Sequence, residues 1–195
     1  MKNKENSNNK KLVNNPKKVK KKKDVRKRKS FNIFKVNGEF KLIPLIINIL
    51  IPLGGGFIVA YINRNSIATY ETLNKSIFSP PAILFPIVWA ILYILMGIAA
   101  YRIYMRNKQG VDDKGAYFFY LVQLIVNFMW SFIFFTFRLY GISFLWILLL
   151  FVLVVVTFIK FIRVDKVAAI LLIPYIIWLV FAGILNYFIW LLNEM

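Results

Sequence analysis

A polar face runs along the third apolar stretch of the chain, where neutral side chains recur at helical spacing. Tyr120, Gln123, Asn127 and Ser131 are separated by three or four residues, and Trp130 lies beside them. Residues at these intervals lie on one side of an α-helix. Their amide and hydroxyl groups can fix the orientation of a bound molecule through hydrogen bonds. The spacing therefore predicts a face that contacts either a ligand or a neighbouring helix.

Two further apolar stretches repeat this arrangement with more aromatic residues. The members are Tyr175, Trp178, Ala182 and Asn186 in the last stretch and Phe85, Trp89 and Tyr93 in the second. Several aromatic rings combined with a few neutral hydrogen-bonding groups suit a flat, mostly apolar ligand, because the rings can stack on it. Porphyrins and sterols are ligands of this kind.

A simpler role is possible for each type of residue taken alone. Asn127 and Asn186 could hydrogen-bond between helices and serve packing only, which is the favoured interpretation of a lone asparagine in a membrane helix. The aromatic residues could form the belts found at both membrane surfaces. A belt fits the aromatic residues near the ends of the stretches better than it fits Trp89 or Trp178. The combination of three such faces favours a binding site.

The sequence lacks several residue types that common catalytic and metal sites require. It contains no histidine and no cysteine, so we expect no zinc site, no acid–base catalysis by histidine and no haem ligation by a proximal histidine. We expect no bound cofactor, and a tetrapyrrole ligand would be held by its ring and its carboxylates. The apolar stretches also contain no Asp, Glu, Lys or Arg. That argues against a proton relay, a voltage sensor or an ion-coupled transporter.

Five apolar stretches must position these faces. Apolar residues make up 59% of the 195-residue chain, far above the roughly one half that is usual in soluble domains. A stretch of about 20 apolar residues can cross a bilayer core of about 30 Å. The stretches are 42–62, 80–101, 116–137, 141–159 and 167–191. We predict an all-α membrane protein, a bundle of five transmembrane helices in the domain 42–195.

The first stretch could also be the apolar part of a cleaved signal peptide. It follows a basic region of 41 residues, which is too long for a signal peptide, so we predict a retained helix. Within this helix, Gly56 and Ala60 form a pair of small residues that lets another backbone approach closely. We expect that pair to serve packing within the bundle rather than dimerisation.

Three prolines mark the start of the second predicted helix. Pro80 and Pro81 fit a first helical turn, where a missing N–H costs little. Pro86 should disturb the hydrogen bonds of the next turn. These prolines would hold residues 63–79 over one end of the bundle, where that loop could act as a lid. The alternative is that they mark only the helix boundary.

The basic residues are concentrated in an N-terminal tail, residues 1–41. It carries 16 of the 26 Lys and Arg residues, although the net charge of the whole chain is +18. A segment so rich in Lys and Asn cannot bury enough apolar surface to fold alone, so we predict that it is disordered, at least to about residue 35. Attraction to anionic lipid is the favoured interpretation of its charge. Specific nucleic-acid binding is not expected, because the tail lacks interleaved aromatic residues and a folded module.

The same charges predict the orientation of the bundle. The tail and the loops on its side of the membrane carry 23 Lys and Arg residues, against 3 on the other side. The positive-inside rule then places the N-terminus in the cytoplasm and the C-terminus outside. We expect a multi-pass protein of the bacterial plasma membrane.

Several motifs in order along the chain resemble one known family. They are Tyr70-x-x-Leu73-x-Lys75 with Phe78-x-Pro80-Pro81, then FPIVWAILYILMGIAAYRIY (85–104), NFMWSFIFF (127–135) and PYIIWLVFAGILN (174–186). From about residue 42 to 193 the chain resembles the TspO/MBR family of tryptophan-rich sensory proteins and translocator proteins. The resemblance implies a five-helix bundle, commonly a homodimer, that binds tetrapyrroles such as protoporphyrin. In eukaryotic members it also implies binding of cholesterol and drug-like molecules.

The resemblance also implies site residues. The family's ligand cavity matches Tyr70, Trp89, Asn127, Trp178 and Ala182 in this sequence, and Ala182 would let the ligand approach the last helix closely. Together with the helical faces, the predicted ligand-binding residues are Tyr70, Trp89, Tyr93, Asn127, Trp130, Tyr175, Trp178, Ala182 and Asn186.

Some positions depart from the family pattern. Thr69 stands where relatives often have a tryptophan that is implicated in light-dependent porphyrin breakdown, Phe78 stands where Trp is usual, and Ser76 replaces a common proline. No cation follows Tyr187, so the cholesterol motif is incomplete.

We therefore expect a membrane sensor, regulator or transporter that binds porphyrin or another flat apolar ligand, protoporphyrin IX or a haem-like tetrapyrrole. Catalytic residues are not expected. The alternatives are light- and oxygen-dependent porphyrin degradation, and a membrane tether that acts through the basic tail.

Overall fold

Helices form nearly all the regular structure of the protein in the computed structural model, which describes residues 32–113 and 115–195. They are α1 (Leu42–Ile62), α2 (Ser66–Glu71), α3 (Leu84–Lys108), α4 (Ala116–Ser131), α5 (Tyr140–Val164), α6 (Lys166–Ile170) and α7 (Ile173–Asn193). A π-helical turn, Phe132–Thr136, continues α4. Within the described ranges the only β-type pairing is an isolated bridge between Val36 and Glu39. The predicted all-α class is confirmed.

Five of these helical segments are long and apolar enough to span a membrane. They are α1, α3, α4 with its π-helical turn, α5, and α6 with α7. This confirms the five predicted spans and makes the protein an integral, multi-pass membrane protein. Hydrogen bonds between helix ends and loops identify one end of the bundle: Asn74 contacts Asn193, and Thr136 contacts Asn63. We call this the α2 end, and the opposite end, where residues 32–41 lie, the tail end.

The start of α3 differs from the prediction. Pro80 and Pro81 precede the helix, which begins at Leu84 after a turn closed by the bond from Leu84 N–H to the Pro81 carbonyl, 3.0 Å. Pro86 is the third helical residue. Its missing N–H falls among the first four positions, which have no acceptor within the helix. Pro86 therefore belongs to the first turn, and the predicted disturbance of the next turn was wrong.

Two helices also extend beyond their predicted ends. Because α3 reaches Lys108 and α5 reaches Val164, several charged residues assigned to loops lie on helices. One of them, Arg102, is buried and pairs with Asp165 through two bonds, Nε to Oδ1 at 2.8 Å and Nη2 to Oδ2 at 2.9 Å. The expectation that no charged residue lies within a span holds only for the shorter predicted boundaries. The paired carboxylate compensates the buried charge.

Residues 32–41 pack on the tail end, although the sequence assigned them to the disordered tail. The Val36 side chain is only 1% exposed, and Val36 and Glu39 exchange two backbone hydrogen bonds across a tight turn. Arg102 Nη1 donates to the Ile33 carbonyl at 2.7 Å. The carbonyls of Ile33 and Lys35 thus accept hydrogen bonds from the buried Arg102 side chain. These bonds order residues 32–41, although the segment has no apolar core of its own. The predicted disorder of residues 1–31 lies outside the described residues.

Glycines allow the helices to approach closely. A Cβ atom at Gly97 would lie 2.5 Å from the Ile49 Cα atom, so only glycine permits this contact between α1 and α3. Gly56 faces the Tyr93 ring in the same way. Gly56 of the predicted pair therefore packs within the bundle, whereas Ala60 is exposed, and the choice between packing and dimerisation for the pair stays a prediction.

Candidate ligand-binding site

A cavity of about 240 Å³ lies between α1, α2, α3, α4 and α7 at the α2 end. Ala60 of α1 and Ala182 of α7 are small lining residues, and Gly56 of α1 leaves room for the Tyr93 ring, which also lines the cavity. The larger lining residues are mainly aromatic and apolar: Tyr70, Phe85, Trp89, Tyr93, Trp130, Phe134, Phe135, Leu185 and Ile189. A ligand in the cavity would therefore contact several aromatic rings, and the space that these rings enclose is small.

A chain of neutral hydrogen bonds holds one side of the cavity. The Tyr93 hydroxyl donates to Asn127 Oδ1 at 2.9 Å, and Asn127 Nδ2 donates to the Tyr175 hydroxyl at 3.0 Å. The Tyr175 hydroxyl in turn donates to Gln123 Oε1 at 3.1 Å. This chain connects α3, α4 and α7. An asparagine amide can donate twice and accept twice, so Asn127 keeps capacity for one further bond of each kind.

A second network orients Asn186 on the α7 side of the cavity. Asn186 Oδ1 accepts from Trp130 Nε1 at 3.1 Å and from the Ser143 hydroxyl at 3.0 Å. Its Nδ2 donates to the Tyr140 carbonyl at 2.9 Å. Both asparagines therefore hydrogen-bond between helices, as the packing interpretation predicted. Both also line the cavity, so the packing and binding interpretations are compatible.

The aromatic rings of the cavity are packed against one another as well as around the space. Trp89 lies 5.5 Å from Tyr93 and 6.0 Å from Tyr175, measured between ring centroids. Trp130 stacks on Phe134 with centroids 5.0 Å apart. Ring pairs at such distances stabilise one another beyond the area they bury. The rings are thus held in fixed positions before any ligand arrives.

Tyr70 connects the loop at the α2 end to the cavity. Its side chain is 4% exposed, and its hydroxyl donates to the Pro80 carbonyl at 3.2 Å. The Lys75 ammonium lies 4.7 Å from the centroid of the Tyr70 ring, a cation–π contact. Burial raises the pKa of the Tyr70 hydroxyl, a hydrogen bond with Ser79 opposes this, and the nearby Glu71 carboxylate adds to it. Tyr70 therefore stays neutral and able to donate over the physiological pH range.

Residues 63–83, which we call the mouth segment, cover the cavity and are tied to α7. Asn74 and Asn193 exchange two bonds, from Asn74 N–H to Asn193 Oδ1 and from Asn193 Nδ2 to the Asn74 carbonyl, each 3.0 Å. Phe78 packs edge-on against Phe188 with ring centroids 5.2 Å apart. The polar part of this attachment is exposed to solvent, where each hydrogen bond contributes little to stability. The hydrogen bonds between Asn74 and Asn193 therefore attach this part of the mouth segment to α7 only weakly, whereas Tyr70 of the same segment is buried.

Seven of the nine predicted site residues line the cavity. They are Tyr70, Trp89, Tyr93, Asn127, Trp130, Ala182 and Asn186. Tyr175 lies behind Asn127 and acts on the cavity through their hydrogen bond. Trp178 is absent from the lining and packs between Phe85 and Phe181. Binding by all nine residues stays a prediction.

Sequence reasoning missed several lining residues around the π-helical turn. Phe134 lies seven residues after Asn127, so continuing the helical face of α4 would have found it. Phe135 lies four residues after Ser131, so the same spacing would have found it too, although a π-helical turn begins between them. Arg64 also lines the cavity from the end of α1. Because Arg64 lies in a predicted loop, the sequence indicated only its contribution to the orientation of the protein in the membrane.

Comparison with known proteins identifies a family. A sequence profile described as the TspO/MBR family matches residues 48–191. Protein CrtK of Rhodobacter capsulatus is 38% identical over 129 residues, covering 65% of this chain and 79% of that protein. The tryptophan-rich protein TspO of Chlorobaculum tepidum is 37% identical, covering 64% of this chain and 78% of its own. The translocator protein of Ovis aries is 33% identical, covering 74% and 87%. The chain therefore belongs to the TspO/MBR family.

Proposed function

We propose that the protein binds a flat, mostly apolar tetrapyrrole in the cavity and acts in the membrane as a sensor or translocator for it. The observation that carries the proposal is the aromatic cavity with two oriented amides, Asn127 and Asn186, in its wall. Relatives support the sensor or translocator role by name: a tryptophan-rich sensory protein of Cereibacter sphaeroides is 33% identical, and the Ovis aries relative is a translocator protein.

The chemistry of the lining matches that ligand class. Trp89, Trp130 and Phe134 present ring faces or edges, on which a macrocycle can stack. Asn127 retains one donor and one acceptor for the polar atoms of a ligand. The side chains of the lining include no acid, and its charged residue, Arg64, is exposed, so a polar ligand atom meets neutral partners among the buried residues. A flat apolar ligand would thus be oriented by hydrogen bonds and retained by burial of its ring.

The size of the cavity implies that the mouth segment moves when a tetrapyrrole enters. Pockets for drug-sized ligands measure about 300–1,000 Å³, whereas this cavity measures about 240 Å³. The weakest boundary of the cavity is the mouth segment, because exposed amide bonds between Asn74 and Asn193 attach it to α7. We expect it to act as a lid that opens for the ligand.

Titration with protoporphyrin IX in the dark tests the proposal. The full-length protein in lipid nanodiscs would be followed by quenching of tryptophan fluorescence. We expect saturable binding with a dissociation constant in the micromolar range, where −8.2 kcal/mol corresponds to about 1 μM. Ala182→Phe should weaken binding at least tenfold, because the new ring occupies the cavity. Absence of saturable binding would overturn the proposal.

Matched variants separate ligand contact from general damage to the bundle. Val180→Phe adds a ring on the same helix as Ala182, at a residue that is exposed on the outside of the bundle, and should leave affinity unchanged. Asn127→Leu should weaken binding more than Gln123→Leu. Both changes break the hydrogen-bond chain, but only Asn127 lines the cavity. Equal effects of these two variants would show that the network acts through packing alone.

We also propose the orientation that the charges predict, with the N-terminus in the cytoplasm and the α2 end outside. The absence of native cysteine makes this testable by labelling. A membrane-impermeant maleimide should label Met195→Cys in intact cells, and should label Lys10→Cys only after the membrane is opened. The reverse pattern would invert the orientation. The homodimer and the attraction of the tail to anionic lipid stay predictions.

A further inference from the structure

A second pocket of about 310 Å³ adjoins the cavity at the α2 end. Four residues, Asn63, Arg64, Ser66 and Phe135, line both spaces. Its remaining lining is mostly polar and comes from the start of the mouth segment and from the turn between α4 and α5. The molecule thus places an apolar aromatic space directly beside a polar one, with shared walls.

Two arginines give the polar pocket its charge. Arg64 and Arg138 both line it, and the lining contains no acid. Arg64, near the end of α1, also lines the aromatic cavity. A guanidinium offers five N–H donors in a planar fork that matches the two oxygens of a carboxylate. Such a fork at the boundary of the two spaces can reach an anionic group on a ligand whose body lies in the cavity.

The acids at this end of the bundle have other partners. Among the described residues near the α2 end, Glu71 pairs with Lys75 at 3.4 Å. Glu194 accepts hydrogen bonds from the backbone N–H groups of Tyr140 and Gly141, each at 2.8 Å, at the start of α5. Neither acid lines the polar pocket, and neither forms an ion pair with Arg64 or Arg138. The positive charge of Arg64 and Arg138 remains available to an external anion.

The backbone at Arg138 holds its side chain on this pocket by an unusual conformation. Its φ of +54° is one of two positive values among non-glycine residues in the described chain. L-residues rarely occupy this region, and glycine is the usual residue there. The conformation is fixed by bonds on either side, from Phe137 N–H to the Phe132 carbonyl at 2.9 Å and from Leu139 N–H to the Ile133 carbonyl at 3.1 Å. Glycine, the usual residue in this conformation, would bring no charge to the pocket, whereas Arg138 brings a guanidinium.

We propose that the polar pocket binds the carboxylate groups of an amphipathic ligand whose apolar ring lies in the adjoining cavity, through Arg64 and Arg138. The inference rests on the proposed function and adds to it the anionic part of the ligand. The hydroxyls of Ser66 and Thr69 and the amide of Asn65 line the same pocket and supply further donors to an anion. The pocket selects acids over neutral molecules with the same ring.

Paired ligands test this selectivity in the full-length protein in nanodiscs of zwitterionic lipid. Protoporphyrin IX carries two propionates, and its dimethyl ester has the same ring without the charges. The wild type should bind the diacid about tenfold more tightly than the diester, as charge-assisted hydrogen bonds at a partly exposed site allow. Arg64→Gln with Arg138→Gln should remove this preference by weakening diacid binding about tenfold more than diester binding.

A control variant separates the loss of these two arginines from the loss of positive charge elsewhere on the protein. Arg163→Gln removes an exposed arginine near the end of α5, at the tail end of the bundle, and should leave the preference intact. Equal binding of the two ligands by the wild type, or a preference that survives in the double variant, would overturn the inference. In both cases saturable diester binding that Ala182→Phe weakens would leave the proposed function standing.

Two more results would count against the carboxylate assignment. Failure of both ligands to bind saturably would overturn the proposed function together with the inference. If anionic lipid in the nanodisc abolishes the diacid preference at constant ionic strength, the pocket is occupied by lipid phosphate, and the assignment to a ligand carboxylate falls.

Discussion

The two ends of the bundle use polar groups in opposite ways. At the tail end, the Arg102 guanidinium makes two bonds to Asp165 and two to the carbonyls of Ile33 and Lys35. At the α2 end, the buried polar side chains of the cavity wall are neutral, and the charged residue of that wall, Arg64, is exposed. Asn127 uses only half of its hydrogen-bonding capacity. The first arrangement leaves almost nothing for an external molecule. The second is held in place and still able to bind.

This difference follows from the energetics of burial. A buried charge is stable only with a partner of good geometry, so a buried ion pair must be almost fully satisfied and becomes a fixed part of the fold. A buried amide needs fewer partners, and leaving one of its bonds to a ligand or water is a smaller penalty. We therefore expect changes at the tail end to affect stability with little effect on ligand affinity. Changes at the α2 end should affect affinity more strongly, and stability less strongly, than changes at the tail end.

Arg102→Leu should have the largest effect on stability. The side chains of Arg102 and Asp165 are 7% and 9% exposed, and removal of one partner leaves the other charge buried alone. The free energy of unfolding, measured in mixed micelles, should fall by about 3–5 kcal/mol. The dissociation constant of the remaining folded protein for protoporphyrin should stay within about twofold, because the ion pair lies at the opposite end from the cavity.

The double variant Arg102→Leu with Asp165→Leu serves as the control for this prediction. It removes both charges, so its stability should exceed that of Arg102→Leu even though it lacks more native contacts. A double variant that is less stable than the single one would mean that the contacts of Asp165 with the start of α6, rather than the unpaired charge, dominate.

The sequence predicted the polar faces at the α2 end but not the ion pair at the tail end. Helical spacing placed Asn127 and Asn186 on faces that meet at the cavity, because periodicity carries the direction of a side chain. The same spacing predicted that Trp178 faces the ligand together with Ala182, but Trp178 packs beside Phe85 and does not line the cavity. The ion pair between Arg102 and Asp165 joins residues 63 positions apart. A charge count assigned both to loops, because helix ends are the least certain part of a sequence-based prediction.

Asn186→Leu should produce the opposite pattern to Arg102→Leu, with a smaller loss of stability and a larger loss of affinity. The change leaves Trp130 Nε1 without its acceptor and removes the Asn186 donor from the Tyr140 carbonyl, which keeps its bond from the Ser143 hydroxyl. The free energy of unfolding should therefore fall by about 1–3 kcal/mol. Affinity for protoporphyrin should fall severalfold, because Asn186 lines the cavity and orients Trp130. Fluorescence titration and unfolding in micelles measure the two effects separately.

Ser143→Ala is the matched control for Asn186→Leu. The Ser143 hydroxyl shares its one proton between Asn186 Oδ1 and the Tyr140 carbonyl, but Ser143 does not line the cavity. The variant should lose about 1 kcal/mol of stability and keep its affinity. If Ser143→Ala weakens binding as much as Asn186→Leu, the amide acts by holding α5 against α7 and the contrast between the two ends is lost.

Asn193→Leu should have the smallest effect on stability and a visible effect on binding kinetics. Its amide ties the mouth segment to α7 through two bonds to Asn74, and exposed bonds of this kind contribute about 1 kcal/mol or less. If the mouth segment must open before a tetrapyrrole enters, this loss should raise the population of the open form, and with it the association rate, about fivefold. Stopped-flow quenching of tryptophan fluorescence measures that rate.

Gln109→Leu is the control for this prediction. It removes a comparable amide contact at the tail end, where Gln109 bonds to Asn37 and to the Val36 carbonyl. It should leave the rate unchanged. An equal rate in Asn193→Leu and wild type would mean that the ligand enters between transmembrane helices, and that the mouth segment is a fixed wall of the cavity.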